Sequence, residues 1–298
     1  MTNTFSTPGG QASHSVEGLS RRGQFMRNAV FHIVLMIGAL IVCVPLIWMV
    51  SSSLKAPNRL FSIPIDFYPY EFRWQNYVDA WNTAPFGRYF FNSLYTSIAT
   101  TLLNLFFCSL AGYGFAKYSF PFKNVLFLFV LATLMIPFHV ILVPLFILMR
   151  DLGWLKGANV YNAMIVPGMM NAFGIFLMRQ YILTLPDELF DAARIDGAGE
   201  IGTYFRIVLP LSTGPLAALA VFIFLDSWNS LLWPLVLTTT NDEYRTVAVG
   251  LTQFQTIHGT QYHLMMAAAT LVAVPMLTVF FMLQKYFIRG IALQGLKG

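Results

Sequence analysis

Charge is scarce in this sequence. Only 10% of its 298 residues are Asp, Glu, Lys or Arg, against 57% hydrophobic and 16% aromatic, with a mean hydropathy of +0.63. A soluble domain averages roughly a quarter charged residues, so a chain this apolar cannot be hidden in water-soluble cores and reads as a membrane protein. Cysteine is nearly absent too: Cys43 and Cys108 both stand in long apolar runs, which excludes a disulfide scaffold and makes them small buried hydrophobes. No Gly-x4-Gly-Lys-Ser/Thr phosphate loop occurs, so the chain has no such means of hydrolysing ATP. His258 and His263 are five apart with no third ligand nearby, off a shared helical face, which argues against a metal site. The net charge of +5 comes from basic residues scattered over segment ends, not from a patch interleaved with aromatics, so no nucleic-acid partner is expected.

What is present is long apolar runs. A hydrocarbon core about 30 Å thick needs about 20 apolar residues in helix. Six segments meet that length: Ala29 to Val50, Asn92 to Phe115, Asn124 to Met149, Val160 to Tyr181, Leu211 to Leu237 and Leu264 to Ile288. The alternation of a β-barrel is missing, so an all-α bundle of six transmembrane helices is predicted. Arg21, Arg22, Arg27, Lys117, Lys123, Lys285, Arg289 and Lys297 fall on one side of that arrangement, which places both termini in the cytoplasm. Ser20-Arg21-Arg22-Gly23-Gln24-Phe25 is close to a twin-arginine export signal. The apolar stretch after it is too long for a signal peptide, and Cys43-Val44-Pro45 offers no small-residue cleavage site, so an uncleaved first helix is expected. Residues 1–28 read as a cytoplasmic tail, disordered over Met1 to Glu17, and residues 289–298 as a second tail. Prolines 45, 137, 144, 167, 215, 234 and 275 fall in five of the six spans, where each tends to kink its helix.

The outside segment, residues 51–91, is rich in Pro and aromatics (Phe61, Phe67, Tyr68, Tyr70, Trp74, Tyr77, Trp81). It reads either as a compact cap on the membrane face or as an interfacial aromatic belt. The last outside segment, Thr238 to His263, carries Gln253, Gln255 and Gln261. It either reaches a partner or merely joins two helices. Inside the spans, Asp226, Trp228 and Asn229 cluster near the middle of the fifth, where a charge costs several kcal/mol unless paired or wet. Both a polar pathway and an interhelical hydrogen bond satisfy that. Asn104, Asn162 and Asn171 are weaker members of the same class, often simply interhelical glue, while His139 in the third span is either a functional ionisable group or a histidine hydrogen-bonded inside the bundle.

The most charged stretch is Leu183 to Pro210, between the fourth and fifth spans, with Asp187, Glu188, Asp191, Arg194, Asp196, Glu200 and Arg206. Thr184, Pro186 and Asp187 form a helix start, and Gly197 and Gly199 a stop. A second short helix follows, from about Glu200 to Leu209. Ala192 and Ala193 leave a shallow surface for another body, so the elbow suits a helix-in-groove contact with a cytoplasmic protein.

Asp191-Ala192-Ala193, three residues, Gly197, nine residues and Ile207-Val208-Leu209-Pro210 resemble the EAA motif, Glu-Ala-Ala-x3-Gly-x9-Ile-x-Leu-Pro, of permease subunits in binding-protein-dependent ABC importers. The spacing matches throughout, with Asp191 in place of Glu. Asn92-Ser93, Ser227-Trp228-Asn229 to Trp233-Pro234-Leu235, and Arg289-Gly290 to Gly298 are similar to the carbohydrate-uptake branch, in particular the second permease subunit of maltose transporters. The resemblance implies the type I importer permease fold and the bacterial inner membrane. It also implies a second homologous permease subunit, two ATP-binding cassette subunits carrying ATP and Mg, a solute-binding protein and a carbohydrate substrate, with no cofactor on this chain. Asp191, Ala192, Ala193 and Gly197 then form the knob seated in the ATPase, with Ile207, Leu209 and Pro210 fixing its exit. Asp226, Trp228 and Asn229 become candidates for the substrate pathway, and Gln253, Gln255 and Gln261 for contact with the binding protein. Two other readings remain open: an ion-coupled carrier with Asp226 and His139 as proton relay, which should show internal repeats that are not apparent here, and a membrane enzyme, for which no paired carboxylates, nucleophile elbow or metal spacing converge.

Overall fold

The computed structural model describes residues 21–63, 66–256 and 259–295. The expected disordered stretch Met1 to Glu17, His258 and Lys297 lie outside the described residues. The chain divides into two compact units, 1–48 and 49–298. Helix α1, Arg21–Ser53, accounts for all that is described of the first; it contains Pro45 and is apolar for most of its length.

The second unit continues with α2 (Gln75–Thr83), α3 (Phe86–Lys117), α4 (Lys123–Ala132), α5 (Phe138–Asp151), α6 (Val160–Ile165) and α7 (Ala172–Leu183). These are followed by α8 (Asp187–Ile195), α9 (Glu200–Thr203), α10 (Leu209–Leu211), α11 (Thr213–Asn229), α12 (Leu232–Leu237) and α13 (Val247–Leu251). A two-residue hairpin of β1 (Gln255–Thr256) and β2 (Gly259–Thr260) then leads into α14 (Tyr262–Gly295). The all-α expectation holds. α14 runs on through residues 289–295, where a separate tail was expected, and α3 starts at Phe86, six residues before Asn92, with Pro85 in its cap position.

Among the described residues three helical stretches are long and apolar enough to cross a membrane unaided: Phe25–Ser53, Phe86–Lys117 and Tyr262–Lys285. The other three expected spans are broken. Lys123–Met135 and Phe138–Asp151 meet at 100°, Gly157–Gly168 and Ala172–Leu183 at 46°, and Glu200–Leu211 and Thr213–Asn229 at 80°. Two of these breaks have a local cause in proline. Pro137 holds Ile136 extended, at φ −89° and ψ 111°, as the residue before proline prefers. Pro167 sits in a 3₁₀ turn, after which Asn171 is extended and caps α7, its Oδ1 accepting from Gly174 N–H at 2.7 Å. The fifth predicted span breaks a second time at Ser230 and Leu231, between α11 and α12.

α3 packs against α7 and α11, and α11 against α14. The α3–α7 seam is tight because it uses small residues. A Cβ on Gly112 would stand 2.7 Å from Met178 Cβ, and one on Gly174 would stand 2.7 Å from Cys108 Sγ. Polar side chains also recur every three or four residues along α3: Ser93, Thr96, Ser97, Thr100 and Asn104 are all buried. Asn104 Nδ2 donates to Gly168 O at 2.9 Å, satisfying a carbonyl freed by the break before α7.

Residues 51–91, expected outside the membrane, include the end of α1, α2 and the start of α3. Asn76 Nδ2 donates to Ser53 O (2.8 Å) and Lys55 O (2.9 Å), pairing carbonyls at the end of α1. Tyr68 meets Tyr70 and Phe72 edge-on, and Phe61 meets Tyr262. Phe61, Phe67 and Trp74 stay exposed.

Candidate functional site

The charged stretch folds as a helix, a bend and a second helix. α8 starts at Asp187 behind Pro186; Thr184 does not cap it, as its hydroxyl instead donates back to Tyr181 O at 2.7 Å and closes α7. The end of α8 is a Schellman turn: Gly197 N–H bonds to Arg194 O at 3.1 Å and Ala198 N–H to Ala193 O at 2.9 Å. This turn needs a left-handed residue, and Gly197 supplies it with φ +75°. Beyond Gly199, α9, a π turn over Tyr204–Val208 and α10 form one continuous rod. Pro210 has no N–H to offer the Arg206 carbonyl and its ring crowds that turn. The wider turn, in which Leu209 N–H reaches Tyr204 O, accommodates it.

α8 has two faces. Phe190 and Ala193 are buried, while Asp191 and Ala192 are exposed and Ile195 is 86% exposed. Ala193 and Phe190 therefore pack inward, and of the two alanines expected on the outer surface only Ala192 is there. The exit is held differently from expectation as well: Tyr204 and Val208 are the buried residues, Ile207 and Leu209 are half-buried and Pro210 is exposed.

The inner face of α8 rests on the end of α3. The Tyr113 ring stacks on Phe190 (6.0 Å) and on Tyr204 (6.2 Å). Lys117 Nζ lies 4.6 Å from the centre of the Phe190 ring and donates to Leu185 O (2.7 Å) and Asp187 Oδ1 (2.6 Å). Tyr118 and Tyr113 (3.1 Å) both donate to Glu200 Oε2, and Arg194 pairs with Asp191 at 3.2 Å. The hydrogen bond and charge of Lys117 hold the Asp187 carboxyl below its usual range. Burial, then the Glu200 carboxylate, pushes the Tyr118 phenol up, so it stays a donor. Sequence reasoning missed this latch. Lys117 registered only as part of the positive flank, and its partner Asp187 is 70 residues away.

The fifth-span cluster is divided. Trp228 is 1% exposed, stacks on Phe224 and donates Nε1–H to Val272 O at 3.2 Å, so it joins α11 to α14. Asp226 and Asn229 instead line an open cavity of about 600 Å³ with Asn171, Phe173, Phe222 and Ser230. His139 is not among its lining residues and touches Phe138. In the last segment expected outside, Gln255 and Gln261 are exposed and Gln253 half-buried. The preceding loop is stapled to α3: Asn92 Nδ2 donates to Glu243 O (2.9 Å) and Arg245 O (2.8 Å), and Tyr161 O–H donates to Asn92 Oδ1 at 2.6 Å. Among the described residues no three His, Cys, Asp or Glu gather as a metal site.

Residues 105–293 match the family described as binding-protein-dependent transport system inner membrane component. This chain belongs to that family. An arabinooligosaccharides transport system permease protein of Halalkalibacterium halodurans is 39% identical over 263 residues, 87% of this chain and 93% of the relative. An sn-glycerol-3-phosphate transport system permease protein of Yersinia enterocolitica is 36% identical over 269 residues, 87% and 94% of the two chains. The crystal structure of a bacterial ABC transporter involved in import of the acidic polysaccharide alginate shares the fold, with a TM-score of 0.76 at 22% identity, over 91% of this chain and 99% of that one. The protein is thus a multi-pass membrane permease component of a transport system and not an enzyme in its own right.

Proposed function

We propose that this chain is one of two permease subunits of an ABC importer in a bacterial inner membrane, passing a carbohydrate delivered by a solute-binding protein. In this reading the three unbroken helices and the three bent pairs make six spans with both termini cytoplasmic, in line with the Lys and Arg flanks. A second, similar permease completes the pathway, and two ATP-binding cassette subunits supply ATP and Mg. The arabinooligosaccharides permease relative supports the sugar class.

The observation that carries the proposal is the elbow: a short helix with an exposed Asp191, Ala192 and Ile195 outer face, a fixed glycine end and an inner face latched to α3. An amphipathic helix held this way offers a knob to a groove while its other side moves a span. Asp191, Ala192 and Gly197 meet the ATPase, Ala193 seats the knob from within, and Ile207, Leu209 and Pro210 shape the rod that leads into α11. Asp226 and Asn229 line the pathway, with Trp228 as their support, and Gln253, Gln255 and Gln261 face the binding protein.

The test is reconstitution of the permease pair with its ATPases in liposomes. ATP hydrolysis should rise on adding loaded binding protein and should drive sugar inward. Uptake that follows a proton gradient without ATP would overturn the proposal in favour of an ion-coupled carrier.

A further inference from the structure

The Asp226 cavity lies where two separate helix breaks open. One is the break ahead of α7, which brings Asn171; the other ends α11 and brings Asn229 and Ser230. Backbone interrupted at membrane depth is tolerated where it is buried in protein or lines a wet cavity, and paired discontinuous helices commonly frame solute sites.

The groups facing this cavity have unused hydrogen-bonding capacity. Asp226 makes no hydrogen bond or ion pair with any described residue, and no Lys, Arg or His lines the cavity. Asn229 Nδ2 donates to Leu225 O at 2.9 Å, which leaves its Oδ1 and a second N–H. Asn171 Oδ1 accepts from Gly174 N–H, which leaves the Asn171 amide donors. Phe173 and Phe222 pair edge-on at 5.8 Å, both partly exposed, and give an apolar surface for C–H faces.

We infer that this cavity contacts the passing solute directly and selects a neutral, hydroxyl-rich molecule over an anionic one. The inference rests on the permease reading and adds to it the charge class of the substrate. A carboxylate accepts hydroxyl protons in pairs, the two amides supply both donors and acceptors, and the phenylalanines pack on the ring. A phosphate or uronate would face Asp226 with no cation among the lining residues to offset it, and like charges within a few ångströms repel. An ion pair with the neighbouring permease would use Asp226 alone. It would leave the two amides, the aromatic pair and the volume of the cavity without a role.

The experiment uses the assembled complex in detergent, without binding protein, and reads saturation-transfer NMR from arabinotriose and from glycerol 3-phosphate. Wild type should give a signal from arabinotriose about ten-fold above that from glycerol 3-phosphate, since a like pair about 4 Å apart costs about 1–4 kcal/mol between bulk water and a protein surface. Asp226→Asn should narrow that ratio and Asp226→Lys invert it. Equal signals in wild type, or a ratio unchanged by both variants, would overturn the inference. So would loss of complex assembly in Asp226→Asn that a cationic residue of the second permease explains by pairing with Asp226. Stimulation of wild-type ATPase by loaded binding protein, measured separately, reports on the permease reading whatever the NMR result.

Discussion

Replacing Gly197 isolates the backbone of the elbow from its contacts. The residue holds φ +75°, and a Cβ built there meets nothing within 4 Å, so a substitution acts through conformation and not through a clash. A left-handed L-residue costs about 1–2 kcal/mol, more for a β-branched one, while Asn tolerates the region best. If ATPase docking needs the Schellman end, Gly197→Ala should weaken it about 5–30-fold, since 1.4 kcal/mol is a factor of ten. Gly197→Val should weaken it further, and Gly197→Asn only slightly. Gly202→Ala, also clear of neighbours but without a positive φ, is the control and should match wild type. The assay is titration of the detergent-solubilised permease pair with ATPase subunits, followed by ATP-driven uptake in liposomes. Equal behaviour of the Asn and Val variants, in either direction, would refute the claim that backbone conformation at Gly197 sets docking.

Other substitutions probe the parts separately. Gly174→Ala forces a Cβ to 2.7 Å from Cys108 Sγ and should cost about 1–3 kcal/mol by overpacking, whereas Gly114→Ala meets nothing and should leave the unfolding temperature unchanged or raised; thermal unfolding in detergent distinguishes them. Asn92→Ala removes three hydrogen bonds from a buried position and should destabilise by about 1–3 kcal/mol for the groups left unpaired, with faster amide exchange over residues 243–247 as the direct sign. The lowered pKa of Asp187 means that its pairing with Lys117 contributes fully above the ordinary carboxylate range and is lost as pH falls through the lowered value. Protection of the amides of residues 187–195, with intrinsic exchange divided out, should therefore be high at neutral pH and fall in acid, and Lys117→Met should lower it at both.

The six apolar runs and the elbow were legible because both signals are local: composition over about 20 residues for the runs, and Asp191, Gly197 and Pro210 at fixed spacing for the elbow. The breaks were only half legible. The prolines were visible, yet a hydropathy window cannot tell a kink from the 100° turn at Pro137, because the latter depends on which neighbours take up the freed backbone groups. Trp228 read as a pathway residue since Asp226 and Asn229 flank it; helical rotation turns its ring to Val272 instead. The latch was beyond sequence reasoning altogether. Tyr113, Lys117 and Tyr118 carry no distinctive pattern, and their partners Phe190, Asp187 and Glu200 lie 70 to 82 residues further on.

The central claim is that the outer face of α8 seats in the ATPase. Placing a benzoylphenylalanine photocrosslinker at Ala192 tests it most directly, with a second copy at Ala193, on the buried face, as comparison. Irradiation of the assembled importer should join position 192 to the ATPase subunit, in a yield that changes with bound nucleotide, while position 193 links within the permease. Crosslinks from 192 that reach only lipid or the permease itself, with the ATPase present and active, would contradict the account.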